Sequence, residues 1–179
     1  MGISTGTNIK RGDIIEFKRR GFVSAVLGWL LKRIEKDYDG YGWHTAIAWQ
    51  PAPQGWYILE AIQHGVTLNW YTEENIFNHA RVWTWFKEEP DPVVMSSLLP
   101  KYLDKRYDVA IYFWTAVAVI FRHYFNRPIP KLLDNRFDCW ELIQEFTMDM
   151  EDPILSRYDV IIITDLVKAL NERKGKVMP

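Results

Sequence analysis

From Ile14 to Phe86 the chain is cut into short apolar runs by closely spaced turn signals, and few architectures tolerate that spacing. Gly12-Asp13 precedes Ile14–Phe17, and Asp39-Gly40 and Gly42 precede His44–Trp49. The turn from Pro51 to Gly55 precedes Trp56–Ile62, and Gln63-His64-Gly65 precedes the run from Val66 to Tyr71. Arg81–Phe86 alternates as a strand does, and Thr72 is placed to cap a short helix through about Phe77. Four or five short strands joined by short turns make a meandering antiparallel sheet, because parallel neighbours would need long crossovers. One helix is inserted early: Phe22, Val26, Leu30 and Ile34 recur every four residues, with Val23, Leu27 and Leu31 widening the apolar stripe.

The second half reads as helices. Glu88 to Pro92 is charged and proline-bearing, a break between halves. Asp91-Pro92 matches an N-cap followed by proline at the first helical position, and Pro100 should end or kink the helix that follows. Tyr107-Asp108 opens an almost wholly apolar helix through about Tyr124. After Asn126–Pro130 and the segment around Cys139, Tyr158–Thr164 is a β-branched run expected to be a strand. Asp165–Asn171 is expected to be a short last helix. The expected class is α+β: a small antiparallel sheet packed against helices, forming a single domain over 1–179.

Composition removes several functions. The 22 basic and 23 acidic residues nearly cancel, which argues against a nucleic-acid footprint, so Arg81–Trp85 is read as core and cleft. One cysteine forbids an internal disulfide and any multi-cysteine zinc site. His64, His79 and His123 with Cys139 match no compact ligand motif, and Asp37 and Asp39 lead into no calcium loop, so no metal is expected. The apolar run Val109–Phe121 is short of the roughly 20 apolar residues of a membrane span. The polar Met1–Lys10 lacks the pattern of a secretory signal. These features read as a cytoplasmic protein. Peripheral membrane contact through the basic, aromatic-bearing helix at Phe22–Ile34 stays open, as does the oligomeric state.

Three polar residues stand out against apolar surroundings. In Asn135-Arg136-Phe137-Asp138-Cys139-Trp140-Glu141-Leu142-Ile143-Gln144-Glu145-Phe146, the residues Cys139, Leu142, Ile143 and Phe146 share one helix face, and Asn135 or Asp138 can cap the first turn. Unpaired N–H groups at a helix start favour a thiolate. The same cysteine also suits the role of a small buried hydrophobe. His44 leads a strand and shares a face with Ala46 and Ala48, whose small side chains leave room for another element. Glu60 lies on the next strand among apolar neighbours, where a bare carboxylate would be costly. Thiol, imidazole and carboxylate are the groups of thiol hydrolysis: nucleophile, base and orienting acid.

The order of these residues resembles the circularly permuted papain-like cysteine hydrolases of the NlpC superfamily, in particular the YiiX-like branch. The resemblance rests on Gly12-Asp13-Ile14-Ile15, His44-Thr45-Ala46-Ile47-Ala48, Leu59-Glu60-Ala61 with Gly65-Val66, Tyr107-Asp108, and Phe137-Asp138-Cys139-Trp140-Glu141-Leu142. It runs from about Gly12 to Leu166. Ordinary papain-like enzymes place the cysteine before the histidine; here it comes last. The resemblance implies Cys139 as nucleophile, His44 as general base and Glu60 as the orienting carboxylate, with backbone N–H groups of the cysteine helix meeting the oxyanion. It implies no cofactor, and a small peptide, other amide or acyl-lipid substrate. Trp140 departs from the small residue, often serine, that follows the cysteine in that branch, which bears on the acyl pocket. Tyr107 is a candidate lining residue. The competing readings are an acyltransferase or lipid hydrolase of the same fold, and an inert binding or structural module.

Overall fold

The computed structural model describes residues 8–18, 28–29, 31–32, 41–103, 105–107, 117, 121, 124, 136–154 and 163–176. Five antiparallel strands form one sheet: β1 (Ile14–Lys18), β2 (Gly42–Ala52), β3 (Gly55–Ile62), β4 (Gly65–Thr72) and β5 (Ala80–Trp83), in the spatial order β4-β3-β2-β1-β5. The described residues also form four helices: α1 (Glu73–His79), α2 (Pro92–Leu103), α3 (Cys139–Asp149) and α4 (Ile163–Lys176). The mixed α+β class follows.

Tight turns set the pairing of β2 to β4. Ala52 faces Gly55 and Ile62 faces Gly65, so two residues close each hairpin. The first turn needs a left-handed residue, supplied by Gln54 at φ 63°, and Gly55 is packed so closely that a Cβ would lie 2.0 Å from the Tyr71 carbonyl oxygen. Thr72 caps α1 as expected, its hydroxyl accepting from the Asn75 N–H. Asp91 caps α2 by accepting from Val93 and Val94.

The sheet is buried on both faces. One face carries Ile14, Ile47, Trp49, Leu59 and Ala61 against Met95 and Tyr102 of α2, Leu142, Ile143 and Phe146 of α3, and Leu166, Val167 and Leu170 of α4. The other carries Ile15, Ala46, Ala48, Trp56 and Ile58 with Ile76 of α1. The room beside Ala46 and Ala48 is therefore shared with α1, while the cysteine helix packs on the opposite face.

Three expectations change, and a fourth, at Pro100, is narrowed. Tyr107 does not open a helix: Arg106–Tyr107 is a strand, β6, paired in parallel with β7 (Arg136–Phe137), a contact between distant segments that local periodicity does not register. The strand expected over 158–164 fails at its described end, because Ile163 and Thr164 begin α4, where Leu166, Val167 and Leu170 make a buried helical face. The last strand of the sheet stops at Trp83, two residues before Trp85 turns out of the sheet to donate its indole N–H to the Asp152 carbonyl at 2.7 Å. Helix α2 passes Pro100 and ends at Leu103. The Phe22–Ile34 helix is described only at Gly28, Trp29, Leu31 and Lys32, which are helical, with Leu31 in the core and Trp29 exposed. The apolar helix after Tyr107 falls outside the described residues except for Val117, Phe121 and Tyr124.

Candidate active site

Cys139 is the first residue of α3, and its position is fixed from two directions. Asp138 is extended and caps the helix: its Oδ1 accepts from the N–H groups of Trp140 and Glu141, each at 2.7 Å. Glu141 Oε2 accepts in return from the Asp138 N–H at 3.2 Å, completing a capping box. Of the two capping candidates, Asp138 is the one used. From the sheet, the Thr45 hydroxyl donates to the Cys139 carbonyl at 3.0 Å. Leu142, Ile143 and Phe146 are fully buried and hold the helix against the sheet.

That cap narrows the oxyanion expectation. Trp140 and Glu141 give their N–H groups to the Asp138 side chain, and Leu142 gives its own to the Asp138 carbonyl. The N–H of Cys139 itself is the first-turn donor with no partner among the described residues.

His44 and Glu60 share a face of the sheet because of one extra residue. From Ala52↔Gly55 through Gln50↔Tyr57 the β2–β3 hairpin is regular; a register shift then leaves Trp49 unpaired, and Ala48 faces Ile58 and Ala46 faces Glu60. Without the extra residue Glu60 would face Ile47, on the side away from His44, since a one-residue slip exchanges the faces of a strand. The bulged Trp49 is buried in the helix layer, its ring 6.2 Å from Tyr102 and 5.9 Å from Phe146.

The three predicted residues meet. His44 Nε2 is 2.6 Å from Glu60 Oε2, and the Cys139 side chain lies near enough to the His44 ring to help raise its pKa. With Nε2 held by the carboxylate, Nδ1 is the nitrogen left for sulfur. His44 extends beyond Ala46, the last β2 residue paired with β3, so ring and sulfur meet past the end of that pairing. Phe17, the cross-strand partner of His44, stacks on the imidazole with centroids 5.8 Å apart. The His44 side chain is 26% exposed, whereas Cys139 and Glu60 are buried.

The charges support one another. Burial disfavours a charged His44, but hydrogen bonds to Cys139 and Glu60 and the negative charge of both outweigh it and carry the imidazole up to about 10. Burial likewise favours the neutral acid at Glu60. The hydrogen bond and charge of His44, followed by hydrogen bonds from Asn69 and Tyr71, outweigh it and hold the carboxyl below its ordinary value.

Sequence reasoning missed Asn69, Tyr71, Thr45 and Phe17. Asn69 Nδ2 donates to Glu60 Oε1 at 2.8 Å and the Tyr71 hydroxyl donates to the same oxygen at 2.7 Å. A signal was present: the two-residue turn at Gln63-His64 sets Glu60 opposite Thr67, which places Thr67, Asn69 and Tyr71 on the face of Glu60.

The other candidates do not converge. Exposed His64 pairs with the adjacent Gln63, His79 lies in the last turn of α1, and His123, Asp37 and Asp39 lie outside the described residues. Among the described residues no group of three His, Cys, Asp or Glu side chains is placed to hold a metal. No described helix is long and apolar enough to cross a membrane. Arg81 covers the Tyr41 ring at 3.6 Å. Tyr107 lies on β6, whose partner β7 leads into Asp138 and Cys139. Comparison with protein-family models, with curated proteins and with solved structures finds no match to this chain.

Proposed function

We propose that this chain is a thiol hydrolase that cleaves an amide or ester through an acyl-enzyme, with a Cys139-His44-Glu60 triad on a permuted papain-like fold. The observation that carries the reading is the 2.6 Å bond between His44 and Glu60, with the Cys139 side chain acting on the same ring. The chain order His, Glu, Cys and the α3 helix packed on an antiparallel sheet are what the permuted arrangement requires.

The chemistry follows from the contacts. Glu60 accepts from Nε2–H, and because His44 is held in its charged form, Nδ1 carries the thiol proton before the sulfur attacks. The sulfur attacks the substrate carbonyl carbon, and in this reading the Cys139 N–H receives the developing oxyanion. His44 returns the proton to the departing amine or alkoxide as the carbon–heteroatom bond breaks, leaving a thioester. A water that gives its proton to His44 then attacks the thioester, and the acid and free thiol are released.

The test is a panel of activated amide, ester and lipid acyl donors presented to the wild type and to Cys139→Ala. The reading expects turnover, a mass increase at Cys139 equal to the acyl group, and loss of both in Cys139→Ala. Turnover that survives the substitution, or no acyl adduct on any donor, overturns it. Acyl transfer to an added amine or alcohol in preference to water would instead identify an acyltransferase on the same site.

A further inference from the structure

Glu60 accepts three hydrogen bonds, and they are divided unequally between its oxygens. Oε2 faces His44 alone, while Oε1 takes both the Asn69 amide and the Tyr71 hydroxyl. We propose that Asn69 and Tyr71 are positioning residues: a two-donor clamp on Oε1 that keeps Glu60 ionised and presents Oε2 to His44. The clamp rests on the triad reading and adds two residues to it.

Geometry and chemistry both support the assignment. An amide NH2 can only donate, so an Oε1 bonded to Asn69 cannot itself carry the proton there. Asn69 is held in turn by a second bond, from the same Nδ2 to the Thr67 hydroxyl at 3.0 Å. Tyr71 is held by its ring, 5.4 Å from Phe17, which stacks on His44. Its phenol stays protonated: burial, followed by the charge of Glu60 and the bond to it, raises its pKa well above the ordinary tyrosine value. With Oε1 closed, a carboxylate that is 2% exposed has one oxygen left for the imidazole, and the ring must offer N–H from Nε2. The titratable groups facing Glu60 among the described residues are His44 from β2 and Tyr71 from β4, with Cys139 of α3 beyond His44.

Two nearly isosteric variants test the clamp. Tyr71→Phe keeps the ring against Phe17 and removes one donor. Asn69→Asp keeps the shape and sets a second carboxylate against Oε1, which drives one of the pair to hold a proton. The readout is the rate of Cys139 alkylation by iodoacetamide between pH 4 and 9, with His44→Ala in parallel. Each clamp variant should move the acid limb of the profile to higher pH, by about one unit for Asn69→Asp, or roughly tenfold in rate on that limb. Rates near pH 8 should stay within about twofold of wild type, since the clamp acts by keeping Glu60 ionised. Loss of general packing would instead lower the melting temperature and leave the profile of the folded protein in place. Profiles that superimpose on wild type while His44→Ala slows labelling would overturn the clamp and leave the triad standing. A His44→Ala variant that labels like wild type would remove the triad, and the clamp with it.

Discussion

Replacing Asp138 by Ala should release the cysteine from its place, and the cost can be worked from three atoms. Asp138 Oδ1 is the acceptor for two N–H groups at 2.7 Å, and the residue is 1% exposed, so water cannot take over. Loss of an N-cap side chain costs roughly 0.5–2 kcal/mol, and a buried donor left without a partner costs about 1–3 kcal/mol. Some relaxation of the first turn is available, so the net loss should be about 3 kcal/mol. With a urea dependence of about 2 kcal/mol per M, the unfolding midpoint should fall by about 1.5 M. Asp138→Asn is the control. Its amide oxygen accepts the same bonds, and the favourable interaction of charge with the helix dipole, about 0.3–1 kcal/mol, is lost. Asp138→Ala should also bring Cys139 alkylation down towards that of an exposed model thiol, because the sulfur no longer sits where His44 reaches it. If Ala and Asn cost the same, or Ala costs under about 0.5 kcal/mol, the cap is not what holds the cysteine.

Two further predictions concern the frame around the site. Asp13 is buried, and burial raises its carboxyl from 3.8 to about 6 despite opposing hydrogen bonds from the Lys10 N–H and the Thr84 side chain. Its folded value lies above its unfolded one, so its stabilising contribution is full below about pH 3.8 and is lost as pH rises through 6. Relative to Asp13→Asn, the wild type should therefore lose stability across that window, by about 3 kcal/mol in all, read from urea midpoints at pH 3.5 and 7. Gly55→Ala would set a Cβ 2.0 Å from the Tyr71 carbonyl oxygen. Backbone on both sides must move, so a loss of about 1–3 kcal/mol is expected on thermal unfolding, and a melting temperature equal to wild type would refute the close approach.

What local chemistry encodes was legible in the sequence. The β2–β4 meander follows from two-residue turns, and the caps at Thr72, Asp91 and Asp138 follow from residue type. The candidate trio was legible as three polar residues in apolar company. What joins them was not. The face on which Glu60 lies depends on whether Trp49 is paired or bulged, which the ring contacts of Trp49 with Tyr102 and Phe146 accompany from outside the hairpin. Tyr107 became a strand because Phe137 pairs with it from a distant segment, and Ile163 became helical although its β-branched side chain favours a strand. In each case a contact between remote residues outweighs the preference of the residue itself.

The central claim is that His44 and Cys139 act as one unit, and the most direct measurement is the second-order rate of iodoacetamide alkylation of Cys139 at pH 7 in wild type and His44→Ala. The contact between ring and sulfur should make the wild-type thiol react at least about tenfold faster than the variant, a general-base contribution typically worth a factor of 10² or more. Equal rates in the two proteins, with both shown to be folded, would contradict the account.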